Sequence, residues 1–361
     1  MKIIGPVVYL FVLARDHVPH IGLLVYVFLV FQQLFYEGPP PRHVFTESRV
    51  DSLVSLVGKG TCQLDINKLG HVSLDIFNDP NITAVEEDYK KMGVASGGMW
   101  SPKDCKAWQK VAILIPYRDR LHHLKLLLQR LHPMLQRQML QYQIFVVEQF
   151  VSSVKAGESA FNRGKLLNVA VKEALKVQPF DCFVFHDVDL IPEDDRNLYY
   201  CDPHLRHLAS AIDEVRYGVI YSNYAGGVAA MSNYTFHKIN GYPNTYWGWG
   251  GEDDDFSARS REMEVPLTRP PKRIGHYKMV RHVKAGRNSG IMDQFLTWRS
   301  RWKTDGIMST GQESFYQVKV KQMKPLFTYI LADLGEPPPE PPFNQDTPRE
   351  SSHWLFRFYH P

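Results

Sequence analysis

Residues 181–192, DCFVFHDVDLIP, decide the fold of this chain. The apolar run predicts a buried strand, and Asp187 and Asp189 follow at its end. Because strand side chains alternate with a period of two, both carboxylates are expected on the same side. Two carboxylates so close together repel each other unless a cation or hydrogen-bond donors compensate. A hard divalent metal that carries phosphate oxygens is one solution, and a pair of loop-anchoring acids is the alternative.

The segments before this strand alternate between strand and helix patterns. The stretch KVAILIPYRDR, residues 110–120, predicts a strand that ends at Ile115, where Pro116 stops it, and YQIFVVEQ predicts another. Leucines recur at three- and four-residue steps between residues 121 and 135, and FNRGKLLNVAVKEALK has the same helical period. This alternation predicts an α/β fold with a mostly parallel sheet.

Three arginines follow predicted strands. Arg118 and Arg120 lie in PYRDR, and Arg163 lies in FNR. In open α/β sheets, ligands bind beyond the carboxyl ends of the strands, and guanidinium groups suit diphosphate. Each arginine alone is typical of a surface salt bridge, but their convergence with the D-V-D acids predicts a nucleotide-diphosphate site.

Length and charge limit the class of protein. The 361 residues suffice for one large catalytic domain or two modest ones. The net charge is only +4, and no stripe of Lys and Arg with interleaved aromatic residues is present. Nucleic-acid binding is therefore not expected.

The N-terminal sequence predicts a membrane anchor. Residues 18–36 are largely apolar and approach the roughly 20 residues that a bilayer needs, and Lys2 and Arg15 precede them. We interpret 1–17 as a cytoplasmic tail, 18–36 as a signal-anchor helix and the Pro-rich 37–60 as a stem; a buried core helix is the alternative. Residues 335–361 form a second Pro-rich stretch, interpreted as a C-terminal extension.

The cysteines and glycosylation sequons suit a secretory lumen. Four cysteines allow two disulfide bonds in any of three connectivities, and they are Cys62, Cys105, Cys182 and Cys201. Sequons begin at Asn81 and Asn233, and each is an acceptor only if exposed there.

Residues 244–259, NTYWGWGGEDDDFSAR, combine tryptophans, glycines and four consecutive acids. A solvated acidic face needs neither the tryptophans nor the glycines. A core segment does not tolerate such a run of carboxylates. The stretch therefore predicts a functional element.

Together these segments resemble a known family. VAILIPYRDR, FNRGKLLNVA, CFVFHDVDLIPEDD, YAGGVAAMS, NGYPNTYWGWGGEDDDFSAR and MVRH closely resemble the β-1,4-galactosyltransferase family, over residues 62–334. The resemblance implies a GT-A-type, Rossmann-like nucleotide-sugar-binding fold in one catalytic domain, 61–334. It also implies a single-pass type II Golgi membrane protein with its catalytic domain in the lumen. Such an enzyme uses Mn²⁺ to transfer galactose from UDP-galactose to O4 of a β-linked N-acetylglucosamine, with inversion.

The resemblance assigns the donor and metal residues. Asp189, Met279 and His282 match the manganese ligands; aspartate and imidazole suit this metal, whereas the thioether is a soft donor. The positions that match the UDP-sugar site are Pro116, Tyr117, Arg118, Arg120, Phe161, Arg163, Asp187, Val188, Tyr224 and Trp249. Tyr224 matches a tyrosine that crowds the 2-position of the donor sugar and favours galactose.

The resemblance also explains the segment 244–259. Its glycines, Gly248, Gly250 and Gly251, are expected in a mobile loop that closes over the donor and places Trp249 over both sugars. Asp253 matches the general base, with Glu252 and Trp249 assigned catalytic roles beside it. The positions that match the acceptor site are Tyr221, Gly251, Glu252, Asp253, Asp254 and Phe295. The implied disulfide bonds join Cys62 to Cys105 and Cys182 to Cys201.

Two alternatives stay open within this resemblance. One is a β-1,4-N-acetylgalactosaminyltransferase, and the other is a glycan-binding protein on the same fold that does not turn over. The expected acceptors are N-acetylglucosamine-terminated glycans of glycoproteins or glycolipids. A homodimer is a further possibility.

Overall fold

The computed structural model describes residues 61–150, 160–282, 291–311 and 315–337. Within these ranges no helix is both long enough and apolar enough to cross a membrane. The predicted tail 1–17, anchor 18–36 and stem 37–60 lie outside the described residues, as does most of the C-terminal extension.

Twelve strands and seven α-helices build the described chain. The strands are β1 Met99–Trp100, β2 Lys110–Tyr117, β3 Gln141–Gln149, β4 Cys182–His186, β5 Leu190–Pro192, β6 Leu205–His207, β7 Ala211–Ile212, β8 Val228–Ser232, β9 Leu267–Thr268, β10 His276–Met279, β11 Gln317–Met323 and β12 Thr328–Asp333. The helices are α1 Ile82–Lys91, α2 Leu121–Arg137, α3 Arg163–Leu175, α4 Asn233–Lys238, α5 Glu252–Glu262, α6 Ile291–Leu296 and α7 Trp298–Arg301. Short 3₁₀ turns lie at Ile66–Lys68, Asp213–Val215 and Ile307–Gly311.

The main sheet is mixed. Its strand order is β11-β12-β3-β2-β4-β8-β6-β9, with β1 paired to β3. The central strands β12, β3, β2 and β4 run parallel, as the alternation of strands and helices predicted. However, β8 runs antiparallel to both β4 and β6, and β11 runs antiparallel to β12. The expectation of a mostly parallel sheet therefore holds only at the centre, because an apolar run shows that a strand is buried but not its direction.

Strand β2 extends past its predicted end. Instead of ending at Ile115, it continues through Pro116 to Tyr117. Its ladder with β4 covers only Val111 to Leu114, while its ladder with β3 continues to Tyr117. Pro116 is tolerated because it lies beyond the pairing with β4, where a missing N–H breaks no hydrogen bond on that side.

Helices cover both faces of this sheet. Leu124, Leu128, Leu131 and Leu135 of α2 are buried in the core on one face, as their spacing predicted. Helix α3 packs Leu166, Leu167 and Ala170 into the core on the other face. Several of the predicted site residues lie at or just after the ends of β2 and β4, two strands of this sheet.

A smaller sheet joins distant parts of the chain beside the D-V-D acids. Strand β10 pairs antiparallel with β5 and parallel with β7. Its register places Met279 opposite Leu190, the residue after Asp189. The backbone N–H of Val280 donates to the carbonyl of Asp189 at 2.8 Å. This pairing brings the segment that ends in His282 to the D-V-D turn.

Two disulfide bonds hold the described fold. Cys62 is bonded to Cys105, and Cys182 is bonded to Cys201. This is the pairing that the family resemblance implied among the three possible connectivities. The second bond joins the first residue of β4 to the loop before β6.

Candidate active site

The D-V-D acids lie in the turn between β4 and β5. Val188 is buried, whereas the side chains of Asp187 and Asp189 keep 28% and 14% of their surface exposed. The two carboxylates have different partners, because Asp187 contacts Arg163 and Asp189 contacts His282. The two acids of the D-V-D sequence thus have different partners and do not form one shared pair.

Asp189 and His282 form the centre of the predicted metal site. Nε2 of His282 lies 2.7 Å from Oδ2 of Asp189. Met279 lies on β10 and its backbone N–H donates to Asp213 at 2.8 Å. Among the described residues no group of three or more His, Cys, Asp or Glu side chains is arranged to hold a metal ion. The predicted set contains only two such side chains, and its carboxylate oxygen and imidazole nitrogen are donors that suit manganese.

Arg163 connects the D-V-D turn to the predicted general base. This first residue of α3 donates from Nε to Oδ1 of Asp187 at 2.7 Å and from Nη1 to Oδ1 of Asp253 at 2.8 Å. Glu252 lies 3.5 Å from the same Nη1. Asn162 places Arg163 there, because its side chain caps α3 by accepting from the N–H of Lys165.

One guanidinium therefore faces three carboxylates. Burial raises the pKa of Asp187 to about 7; Arg163 opposes this rise, and Asp189 and Asp253 add to it. Burial also raises the pKa of Glu252 to about 8, with Asp253 adding to the effect. Glu252 is thus easier to protonate than an exposed glutamate, and a protonated carboxyl can donate a hydrogen bond as well as accept one.

The tryptophan-glycine segment leads directly into α5. Gly251 has φ 91° and precedes Glu252, the first residue of the helix. A Cβ there would lie 2.5 Å from the ring of Tyr246, so both the left-handed backbone and the close packing require glycine. The acids 252–255 occupy the first helical turn, where the helix dipole stabilises negative charge.

The fourth acid of that turn has a structural role. Asp255 is fully buried and accepts from Nε of Arg259 at 2.5 Å and from Nη2 of Arg301 at 2.6 Å. The hydroxyl of Tyr246 also donates to it at 3.1 Å. Asp255, which the family resemblance did not assign to the acceptor site, therefore holds α5 against α7.

Tyr221, Tyr224 and Gly226 form the wall beside these acids. The hydroxyl of Tyr221 donates to Asp254, and the rings of Tyr221 and Tyr224 lie 5.3 Å apart, edge to face. A Cβ on Gly226 would lie 2.5 Å from Oδ2 of Asp253 and 2.5 Å from the hydroxyl of Tyr224. The predicted donor-selecting tyrosine and the predicted base thus meet at one glycine.

The remaining predicted donor residues lie near the end of β2. The guanidinium of Arg118 lies 5.0 Å from the ring centroid of Phe161, whose carbonyl accepts from the N–H of Gly248 at 2.9 Å. Trp249 is 48% exposed. Pro116 and Tyr117 are the last residues of β2, and Arg120 immediately precedes α2. Phe295, predicted on the acceptor side, packs against a cluster formed by Ala258 of α5, Trp298 and Trp302.

One neighbour of the metal residues had no sequence assignment. The ring of His123 on α2 lies 6.0 Å from that of His282, and its Nε2 is buried with no hydrogen-bond partner among the described residues. In the sequence, only the dipeptide HH at residues 122–123 points to His123, and histidines in such a helical pattern are equally typical of core packing.

Comparison with known proteins identifies the family. The model for the N-terminal region of glycosyl transferase group 7 matches residues 62–202, and that for the N-terminal domain of galactosyltransferase matches 206–283. β-1,4-galactosyltransferase 4 of Cricetulus griseus is 43% identical over 287 residues, 79% of this chain and 80% of that relative. The chain belongs to the β-1,4-galactosyltransferase family.

Other members of the β-1,4-galactosyltransferase family are similarly related. The human β-1,4-galactosyltransferase 3 is 43% identical over 277 residues, 76% of this chain and 67% of that relative. The human β-1,4-galactosyltransferase 2 is 45% identical over 254 residues, 69% of this chain and 66% of that relative. The family resemblance stated from the sequence motifs is thereby confirmed.

A solved structure shares the fold. A Drosophila β-1,4-galactosyltransferase 7 mutant in complex with manganese, UDP-Gal and xylobiose matches with a TM-score of 0.52 and 26% identity, covering 63% of this chain and 94% of that one. The same enzyme with xylobiose matches with a TM-score of 0.51, 27% identity and the same coverage. The predicted α/β glycosyltransferase fold of this β-1,4-galactosyltransferase family member is confirmed.

Proposed function

We propose that this protein transfers galactose from UDP-galactose to O4 of a terminal β-N-acetylglucosamine, with inversion at the anomeric carbon. Membership of the galactosyltransferase family supports the reaction type, and the related Drosophila enzyme was solved with manganese and UDP-Gal. The observation that carries the proposal is the bridge from Asp187 through Arg163 to Asp253. It holds a carboxylate beside the sheet edge where the donor is expected.

Asp253 acts as the general base in this proposal. Its carboxylate takes the proton from the acceptor hydroxyl as that oxygen forms a bond to the anomeric carbon, and the bond from that carbon to UDP breaks. Arg163 fixes the carboxylate, so its second oxygen is left to face the sugars beside Gly226. A single displacement of this kind inverts the anomeric centre and needs no covalent enzyme intermediate.

Neighbouring groups orient the acceptor. Glu252 and Asp254 hydrogen-bond sugar hydroxyls, and Tyr221 holds Asp254 in place. Burial raises the pKa of Asp254 to about 6, against the lowering effect of the Tyr221 hydroxyl. Gly251 and Phe295 complete the acceptor side.

The donor side is proposed to hold UDP and Mn²⁺. Asp189, His282 and Met279 would hold the metal, which when bound would neutralise charge on the diphosphate as UDP departs. The three carboxylates that surround the single guanidinium of Arg163 support a cation at this edge. Arg118 and Arg120 contact the diphosphate or base together with Pro116, Tyr117, Phe161 and Val188, and Tyr224 limits the space at the 2-position of the sugar.

The segment around Trp249 is proposed to close over the bound sugars. Trp249 keeps 48% of its surface exposed, and Gly248, Gly250 and Gly251 all have positive φ values. Closure excludes water, which competes with the acceptor for the activated donor.

We also propose that the catalytic domain lies in the Golgi lumen behind a type II anchor at residues 18–36. The two disulfide bonds support an oxidising compartment. The acceptors there are N-acetylglucosamine-terminated glycans of glycoproteins or glycolipids, and a homodimer is part of the same proposal.

A donor-by-acceptor assay with the full-length protein tests the function. We expect transfer from UDP-galactose to chitobiose-type acceptors with manganese, less transfer from UDP-N-acetylgalactosamine, and loss of activity with EDTA. Preferred use of UDP-N-acetylgalactosamine would identify the alternative transferase. Glycan binding without transfer from either donor would identify the non-catalytic alternative.

A separate measurement tests the metal site. Electron paramagnetic resonance of added Mn²⁺ should show tight binding to the wild type and weaker binding to His282→Ala. His122→Ala, a change to a partly exposed histidine on α2, is the control and should bind Mn²⁺ normally. Equal binding by all three proteins would remove His282 from the ligand set.

A further inference from the structure

A buried pair, His207 and Arg269, lies behind the wall formed by Tyr221, Tyr224 and Gly226. His207 ends β6 and Arg269 follows β9, two strands that pair in parallel just before these residues. The two side chains are 1% and 3% exposed. Neither was assigned a role from the sequence.

The hydrogen bonds of the pair fix one tautomer of His207. Nε of Arg269 donates to Nδ1 of His207 at 3.0 Å, so Nδ1 accepts and carries no proton. Nε2 therefore carries the proton and donates it to the carbonyl of Gly226 at 3.0 Å. Burial, with a further contribution from Arg269, holds the pKa of His207 well below its usual value.

Arg269 binds the same segment at two more carbonyls. Its Nη2 donates to the carbonyl of Ser222 at 2.9 Å and to that of Tyr224 at 2.6 Å. Together the pair binds the carbonyls of residues 222, 224 and 226, and Ser257 of α5 donates to the intervening carbonyl of Asn223 at 2.7 Å. Hydrogen bonds thus hold the backbone carbonyls of residues 222, 223, 224 and 226.

The held segment carries the side chains that face the proposed sugar site. The ring of Tyr224 lies edge-on to that of His207, with centroids 5.3 Å apart and an interplanar angle of 87°. Gly226 lies against Asp253 and the hydroxyl of Tyr224. A shift of this segment therefore moves the donor-facing tyrosine relative to the base.

The charge of Arg269 argues against a purely stabilising role. Within the described part of the chain it pairs with no carboxylate, and burial lowers its pKa to about 10. A buried charge costs desolvation free energy, and for Arg269 the hydrogen bonds to two carbonyls and to the imidazole of His207 offset that cost. The fork of a guanidinium, however, reaches three acceptors in fixed directions, which an ammonium or an apolar group cannot do.

We propose that His207 and Arg269 are positioning residues that set the shape of the donor-sugar pocket by fixing residues 222–226 and thereby the ring of Tyr224. The identity of the sugar in this inference rests on the proposed function. The mechanical link from His207 and Arg269 to residues 222–226 does not depend on it. Its specific content is that donor selectivity depends on a pair that does not itself contact the sugar.

The test compares Arg269→Lys with Arg206→Lys in the full-length protein. Arg206 is the matched control because it precedes His207 on β6, is 2% exposed and also donates to two backbone carbonyls, those of Leu198 and Tyr200, which lie outside the segment 222–226. Both changes should lower thermal stability. Only Arg269→Lys should alter the ratio of kcat/KM for UDP-galactose to that for UDP-N-acetylgalactosamine, by about tenfold, as expected for a displaced pocket wall.

Two further variants separate positioning from loss of packing. His207→Leu should change the donor ratio as Arg269→Lys does, whereas His207→Gln, whose amide can donate to Gly226 and accept from Arg269, should restore much of it. If the donor ratio of Arg269→Lys equals that of the wild type and of Arg206→Lys, the inference is wrong.

A readout without turnover keeps the inference testable if the proposed activity fails. Hydrogen exchange of the backbone amides of residues 221–227 should accelerate in Arg269→Lys but not in Arg206→Lys. Unchanged exchange in both variants overturns the mechanical link whatever the enzyme transfers. Absence of transfer by the wild type, with faster exchange in Arg269→Lys, overturns the proposed function and leaves the link supported.

Discussion

Nη1 of Arg163 donates to Oδ1 of Asp253 at 2.8 Å, so the proposed general base is held by the first residue of a different helix. The same guanidinium binds Asp187 of the D-V-D turn. Asp253 and the D-V-D turn are therefore coupled through one side chain.

Asp253→Asn should abolish transfer while keeping donor binding. Asparagine still offers an oxygen to Arg163 but cannot take a proton at neutral pH, so kcat should fall at least about 100-fold. Calorimetric titration of UDP with Mn²⁺ should give an unchanged affinity. Wild-type turnover by this variant would remove Asp253 from the role of base.

Arg163→Lys should lower kcat by about tenfold or more, because an ammonium cannot replace a fork that bridges Asp187 and Asp253. Steady-state kinetics measure this effect. The control is Arg299→Lys, whose side chain is 70% exposed and pairs with Glu262 at the surface. If the two variants have equal kcat, the bridge does not orient the base.

Tyr224→Ile should widen donor use. The smaller side chain opens space beside Gly226 for a 2-acetamido group, so the relative kcat/KM for UDP-N-acetylgalactosamine should rise by about tenfold or more. Competition between the two donors, followed by mass spectrometry of the product, measures the ratio. An unchanged ratio would place donor selection elsewhere.

Asp255→Asn should destabilise the fold much more than Asp253→Asn. Asp255 is fully buried between Arg259 and Arg301, and breaking such an ion pair leaves buried charge uncompensated, at a cost of about 3–5 kcal/mol. Asp253 keeps part of its surface exposed and has one arginine partner. Denaturant unfolding of both variants measures the free energies, and equal losses would contradict the structural role of Asp255.

The contribution of His132 to stability should fall as the pH drops below about 6.5. Burial lowers the pKa of His132 to about 4, and its ring bridges the hydroxyl of Tyr142 and the carbonyl of Leu326. Between pH 6.5 and 4 the unfolded chain binds a proton at this histidine that the folded protein does not, so the free energy of unfolding decreases toward acid, by about 2 kcal/mol at pH 5. Well above pH 6.5 this contribution is constant.

His132→Gln checks the assignment. Glutamine can still bond both neighbours but does not titrate, so the variant should show a weaker loss of stability between pH 6.5 and 5. Denaturation midpoints at both pH values give the comparison. A pH dependence identical to that of the wild type would assign the effect to other groups.

Much of the fold follows from local sequence patterns. The leucine spacing from residue 121 predicted α2, and the apolar runs predicted β2, β3 and β4, because burial imposes a periodicity on each element. The sequence predicted that β2 ends at Ile115, before Pro116, but the strand continues to Tyr117. Whether a proline is tolerated in a strand depends on whether the neighbouring strand still pairs there. The direction of β8 could not be predicted from the sequence either, because strand pairing depends on contacts between segments that are far apart in the chain.

The sequence by itself determined the element pattern, the family and the residue types of the candidate site, since periodicity and motif spacing are properties of the chain. Only the tertiary structure decided which member of the acidic run is structural, because Asp253 and Asp255 differ in the direction they point from α5 and not in chemistry. It likewise decided that Arg163 bridges two acids and that His207 and Arg269 support Tyr224. These contacts join residues from different strands and helices, and the packing of those elements sets distances that no local pattern contains.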